Sequence, residues 1–239
     1  MTEELPLFVL PMILLPNEVQ HLRIFEPRYK QMLDDCLLDG KNFGLVMSDE
    51  FSNVNGWDGP RDYGCEAEII HHETKGSNHF IEIIGRRRFF VKKVAEPALP
   101  PFSDASMADL ISVEGIFPDL ETIIEKIPEN SSKSKLYISA EVEFLEETDN
   151  ISENKLDELE EIFRTILAKI GKLMRLDEAI FDEWIENQVS TIMYNNSNTV
   201  YTLAAMTVSD PEIRYEMLEC NDEQQLYDML LKQLDVIQI

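Results

Sequence analysis

From Leu5 to about Glu147 the apolar pattern repeatedly has a period of two residues, that of a β-strand with one buried face and one wetted face. Cys65, Ala67 and Ile69 alternate with Glu66 and Glu68, and Leu136, Ile138, Ala140, Val142 and Phe144 alternate with a largely polar face. Most of the glycines and prolines fall in this half and punctuate it into short strands. One helix interrupts the pattern: Tyr29, Met32, Leu33, Cys36 and Leu37 recur at spacings of three and four, with Pro27 suited to the first turn and Gly40 to the end. Between Ala98 and Lys135 the text is loop-like, through Pro100, Pro101 and the Ser131 to Ser134 cluster. Within it Leu120, Ile123, Ile124 and Ile127 predict one short amphipathic helix.

After Thr148 the period changes. Asn150 and Glu153 make a capping-box-like start to a helix that runs to about Arg175. Along it Leu156, Leu159, Phe163, Ile166, Ile170 and Leu173 draw one apolar seam, the mark of a helix that packs on other helices. Ser209 with Pro211 and Glu212 opens a later helix, and Asn221 with Gln224 opens another that carries Leu226, Leu230 and Leu234. The pattern predicts an α+β chain of two domains, a β domain at 1–149 and a helical bundle at 150–239.

Composition narrows the function. Forty-six acidic residues against 21 basic ones give a formal net charge of -25, which repels nucleic-acid backbones and anionic membranes and favours basic clients. No apolar run approaches the roughly 20 residues of a bilayer-spanning helix, and Met1 to Pro6 carries Glu3 and Glu4 where a signal peptide is basic, so a cytoplasmic location is expected. Cys36, Cys65 and Cys220 lie far apart, which predicts reduced thiols with neither disulfides nor a cysteine zinc site.

Catalytic patterns are missing. The phosphate-cradling GxxxxGK[ST] fails at both glycine-lysine pairs, because Asp35 and Ile166 stand where the first glycine belongs before Gly40-Lys41 and Gly171-Lys172. Ser132 and Ser134 beside Lys133 and Lys135 sit in a polar loop, a poor context for a serine-lysine dyad. His71, His72, Glu73 and His79 suggest metal ligands, but adjacent His71 and His72 point to opposite faces of a strand, and a solvated hairpin end is the expectation. Neither a cofactor nor a metal is expected. Arg86, Arg87 and Arg88 with Lys92 and Lys93 form the main basic cluster, expected to pair with the abundant carboxylates.

The amino-terminal text LPLFVLPMILLPNEVQHLRIFEPRYKQMLDDCL resembles the opening of Lon protease amino-terminal domains, where strand, proline turn, strand and the phrase IFEPRY recur. YGCEAEI, GRRRFFVKKV and LYISAEVEFLEE resemble the family's later strands in the same order, and YTLAAMTVSDPEIRYEMLECNDEQQLYDMLLKQL resembles its helical segment. The resemblance covers nearly the whole chain and implies a stand-alone, non-enzymatic member with a PUA-like β pseudo-barrel followed by an α-helical bundle. It further implies recognition of unfolded or degron-bearing polypeptide. Two departures stand out: Asn17 replaces the usual glycine after Pro16, and the stretch from Ala98 to Lys135 is longer than the family's usual link.

On this basis Met12, Leu14 and Leu15 in the proline-bounded loop, with Phe25 and Tyr29 behind it, are the candidate polypeptide contacts, with core filling as the competing role. Glu26 of IFEPRY and Arg88 of GRRRFF match recurrent family positions and are expected to form a partly buried structural ion pair. Arg28, two residues from Glu26 at a helix start, is expected on a different face. The alternatives are an RNA-binding PUA-like module using the basic cluster and a protein-protein adaptor of the kind found in cereblon, whose zinc-binding cysteines have no counterpart here. Client and oligomeric state are not legible.

Overall fold

The computed structural model describes residues 2–110, 118–129, 131, 133–146, 151–175, 177–194 and 198–238. They form two compact units. The first comprises Met1–Leu14 with Val19–Leu145, the second Leu15–Glu18 with Glu146–Ile239. The expected boundary at 149/150, Asn150 of the expected capping box, and Ser132 lie outside the described residues.

The first unit is built on six strands, β1 (Thr2–Leu10), β2 (Val19–Ile24), β3 (Phe43–Val54), β4 (Trp57–Lys75), β5 (Asn78–Ala95) and β6 (Ser139–Phe144). They lie in the order β2-β5-β4-β3-β1-β6, and a further pairing of β6 with β5 closes five of them into a ring. Only β1 and β3 run parallel; the other pairs are antiparallel. The long β5 makes closure possible. Its first half, His79 to Ile84, pairs with β2, while Phe89 to Ala95 pairs with β6. Register shifts at Cys65/Ala67, Ile69/His71 and Val91/Lys93 supply the local bends a closed sheet needs.

The ring is filled by alternate side chains, among them Leu5, Leu7, Val9, Val46, Phe89, Val91, Ala140 and Val142. Space is tight at its centre, where a Cβ on Gly64 would fall 2.5 Å from the Phe89 ring and 2.4 Å from Val46. The β3-β4 turn has positive φ at both Asn55 and Gly56, the twist that a two-residue hairpin requires. Helix α1 (Pro27–Asp39) buries Tyr29, Met32, Leu33 and Cys36, as its periodicity predicts, and ends at Gly40 in the left-handed region. Leu37, expected on the same face, is exposed.

The stretch from Ala98 to Lys135 is not an open loop where it is described. It has its own small core of Leu99, Met107, Ile123 and Leu136, a 3-10 turn at Ala105–Leu110, and the predicted short helix as α2 (Leu120–Ile124). Asp119 caps α2 by accepting from the Thr122 N–H. Trp57 Nε1 donates to the Leu99 carbonyl at 3.0 Å and Asn55 to that of Pro97, which tie the stretch to the β3-β4 hairpin.

The second unit holds α3 (Glu153–Leu173), α4 (Glu178–Val189) with a π turn at Ser190–Tyr194, α5 (Thr199–Thr207), α6 (Pro211–Glu219) and α7 (Glu223–Gln238). Leu159, Phe163 and Ile166 of the predicted seam are buried, but Ile170 and Leu173 at its far end are exposed. Two helix starts fall one residue beyond the expected caps. Asp210, not Ser209, accepts from the N–H groups of Glu212 and Ile213, and Asp222, not Asn221, accepts from that of Gln225. An N-cap side chain must reach two or three residues ahead, and Pro211 as the first helical residue fixes that register for α6.

The turn Leu15–Glu18 belongs to this unit and carries a buried ion pair with it. Glu18 is bound by the Arg214 guanidinium and accepts the Leu15 N–H at 2.9 Å. Arg214 also donates to the Val208 carbonyl at 3.2 Å. Asn17 takes φ +62, so it fills the left-handed position that glycine usually occupies after the proline.

Candidate functional site

The five candidate contacts separate by burial. Leu14 and Leu15 are almost fully enclosed, and Tyr29 is 2% exposed, its ring 4.2 Å from that of Phe8 and its hydroxyl donating to the Val9 carbonyl at 2.8 Å. Burial raises the Tyr29 phenol far above its ordinary value, so it serves neither as an acid nor as a base. These three fill the core, the competing role named above. Phe25 is 48% exposed with the Arg23 guanidinium over its ring, and Met12 is half-buried. Those two remain accessible.

Phe25 follows β2, which stands at the end of the strand order and pairs, among the described residues, with β5 alone. Val19, His21, Arg23 and Phe25 are all exposed by the two-residue alternation. Across the pair, Arg23 faces Phe80 and Val19 faces Ile84. Phe80 on β5 and Ile70 on β4 are also exposed, so the terminal strand of the sheet lies beside a discontinuous apolar surface. Sequence periodicity marks Val19, Ile70 and Phe80 as apolar but does not say that they face water.

Glu26 binds Arg28, Nε to Oε2 at 2.9 Å, although Arg28 was expected on a different face. Helical-face spacing does not apply to them, because Glu26 is the extended N-cap residue and only Arg28 lies inside the helix. The Arg28 guanidinium stacks on Tyr29 at 4.2 Å and on Trp57 at 3.8 Å, which holds the start of α1 against the β3-β4 hairpin. Arg88 is 4% exposed on β5, where its register partner is Cys65. Below Arg28 the apolar contact with Leu99, Phe102 and Met107 leaves a cavity of about 10 Å³, room for no more than a single water molecule.

Three members of the basic cluster are matched by carboxylates. Arg86 binds Glu68 at 2.6 Å, Arg87 binds Glu66 at 2.7 Å and stacks on Phe144, and Lys92 binds Glu143. Burial raises the Glu66 carboxyl, but its hydrogen bonds from Arg87 and Asn42 outweigh that and hold it below the usual carboxylate value. Intramolecular pairing of this kind leaves little of the positive field that an RNA backbone would need.

An open cleft of about 220 Å³ is lined by Glu4, Asp35, Asp39, Lys41, Lys135 and Tyr137. Tyr137 donates to Asp35, and burial followed by that carboxylate raises its phenol. Cys36 at the same cleft is pushed up to about 12 by burial first and then by Asp35 and Asp39, so it is a neutral thiol at pH 7. All three cysteines are buried and outside any disulfide.

Of the four residues His71, His72, Glu73 and His79 that the sequence offers as metal ligands, the structure brings two together. His72 and His79 meet across the β4-β5 hairpin, Nε2 to Nδ1 at 3.1 Å, with Thr74 Oγ1 beside both. Burial, and next the His72 ring, hold His79 below the usual histidine value. Among the described residues no three His, Cys, Asp or Glu side chains gather as a metal-holding group, and no helix is long and apolar enough to cross a membrane.

Comparison with known proteins adds three findings. The family described as the ATP-dependent protease La (LON) substrate-binding domain matches residues 4–236. A crystal structure of a Lon N-terminal domain protein from Xanthomonas campestris is similar over 96% of this chain and 98% of that one, with 20% identity and a TM-score of 0.54. The N-terminal domain of a Mycobacterium avium complex Lon protease is similar over 98% of both chains, with 13% identity and a TM-score of 0.60. At these identities the two structures speak for the fold alone.

Proposed function

The chain belongs to the family of the LON substrate-binding domain, and from that premise we propose that it works by binding exposed polypeptide, without catalysis, along the outer edge of β2. The observation that carries this is the place of β2 at the end of the strand order, with β5 as its one strand neighbour among the described residues, beside exposed Val19, Phe25, Phe80 and Ile70. An extended client adds a strand there through main-chain hydrogen bonds, and the flanking apolar groups take alternate side chains. Backbone pairing is indifferent to sequence, which suits recognition of unfolded segments. The acidic surface selects against acidic clients. Met12 and Phe25 remain the contact residues in this account; Leu14, Leu15 and Tyr29, being buried, are not.

The test is fluorescence anisotropy of a labelled, reduced and carboxymethylated protein titrated with the full chain. Binding of the unfolded probe, absence of binding to the same protein in its folded form, and at least about a 5-fold loss in Phe25→Asp (~1 kcal/mol) are expected. No binding by the parent protein refutes the function, and undiminished binding by the variant refutes the site. No magnesium-dependent phosphate release from ATP is expected from the parent protein, since the phosphate-cradling loop is missing.

A further inference from the structure

We propose that the β4-β5 hairpin end is a binding site for a divalent first-row transition metal of the zinc, nickel or copper class, held by His72 Nε2 and His79 Nδ1 with Thr74 Oγ1 as a weaker third donor. His79 is the register partner of Ile24 on β2, but no β2 residue supplies a donor, and the site's existence does not depend on polypeptide binding.

The strand pattern builds it. His72 and Thr74, two residues apart on β4, share one face, and Thr74 lies directly opposite His79 in the antiparallel register. His71 alternates to the other face, opposite Glu82, whose carboxylate has His21 at 3.8 Å. The three donor atoms therefore converge: 3.1 Å between the two ring nitrogens, 3.1 Å from Thr74 Oγ1 to His79 Nδ1 and 3.4 Å from it to His72 Nε2. Two nitrogens each ~2.0–2.1 Å from a tetrahedral ion are ~3.3 Å apart, so a 0.2 Å opening of the observed pair accommodates the metal. The donor triangle then forms one face of the coordination shell, and water completes it from the solvent side. Imidazole donors select the borderline metals over calcium and magnesium, which demand oxygen. The Asp34 charge on α1 acts on His79 in favour of a cation, and Lys30 opposes it.

Proton bookkeeping is simple. In the metal-free pair one inward nitrogen carries the hydrogen that the other accepts. When the metal takes both inward lone pairs, that hydrogen leaves its inward nitrogen and the same ring ends protonated on its outward nitrogen. The two imidazoles stay neutral, with no net proton released.

The experiment is calorimetric titration of chelator-stripped full-length protein with zinc chloride in 0.15 M-range salt, which suppresses loose association with the acidic surface. Saturable binding of one equivalent is expected. His72→Ala and His79→Ala should each weaken it by at least about 10-fold, the lower end of what removing even an outer-shell partner costs a metal site. Thr74→Val should weaken it less, and His71→Ala on the opposite face should leave it unchanged. A zinc-induced rise in melting temperature should appear in the parent protein and vanish in the His72→Ala/His79→Ala double variant. Absence of binding in the parent protein, equal binding by the double variant, or displacement of zinc by excess calcium would each overturn the site.

Discussion

At the scale of single residues, Glu66 shows how a buried charge is tolerated in the β unit. Its side chain is 7% exposed and accepts from Arg87 and Asn42, while the Arg87 guanidinium is 52% exposed and keeps part of its hydration. The pair is therefore worth less than a fully enclosed one, and Glu66→Gln should cost about 1–2 kcal/mol at pH 7. Folding lowers the Glu66 pKa from its ordinary 4.5. Its stabilisation is thus fully present above that value and is lost as pH falls through the folded pKa. Urea denaturation at a series of pH values should show the parent and Glu66→Gln proteins converging as pH falls through the lowered Glu66 pKa of the folded protein, below which both carry a neutral side chain. A constant difference across that range would mean that packing, and not charge, decides the loss.

At the scale of elements, the stretch from Ala98 to Lys135 combines two characters. Leu99, Met107, Ile123 and Leu136 give it a core, and the bonds from Trp57 and Asn55 anchor its start. Its lysines stay on the surface: Lys126 pairs with Asp109, Lys133 with Glu96 and Lys135 with Asp35, all in exposed bonds. Surface ion pairs of this kind contribute little, so they do not protect the backbone. Limited trypsin digestion should make its earliest internal cuts after Lys126 or Lys133, before any within β4 or β5, whose backbone is held in ladders on both sides. Mass spectrometry of the first fragments checks this; initial cleavage at Arg86 or Lys92 would contradict it.

At the scale of the whole molecule, the chain returns to an early turn to complete its second unit. Glu18 and Arg214, 196 residues apart, are both buried and bound to one another. In the full chain Arg214→Met strands the Glu18 carboxylate and should cost on the order of 3–5 kcal/mol. The fragment from Ser152 to Ile239 retains the α3 seam and should be helical by circular dichroism, but it lacks Glu18. There Arg214 is a cation without that carboxylate, and the same substitution should be close to neutral or stabilising. Urea denaturation of the four proteins decides it: an equal loss in fragment and full chain would show that Glu18 is not what makes Arg214 matter.

The sequence by itself determined the α+β division, the alternating parts of β4 and β6, α1, α3 and the α2 turn, because these follow from local periods of two and of three to four residues. The phrases around IFEPRY and GRRRFF were enough to identify the family, which the match over residues 4–236 shows. Tertiary structure alone decided which apolar residues are accessible: Leu14, Leu15 and Tyr29 are enclosed while Phe25, Val19 and Phe80 are not. It also decided which charges and donors meet. Glu26 finds Arg28 because an extended cap turns its side chain toward the helix, Glu18 finds Arg214 across most of the chain, and His72 finds His79. The physical reason is register. Periodicity says which side chains share a face, but partners are set by how strands slide past one another, and one extra residue at the Ile69/His71 shift moves every later pairing on β4.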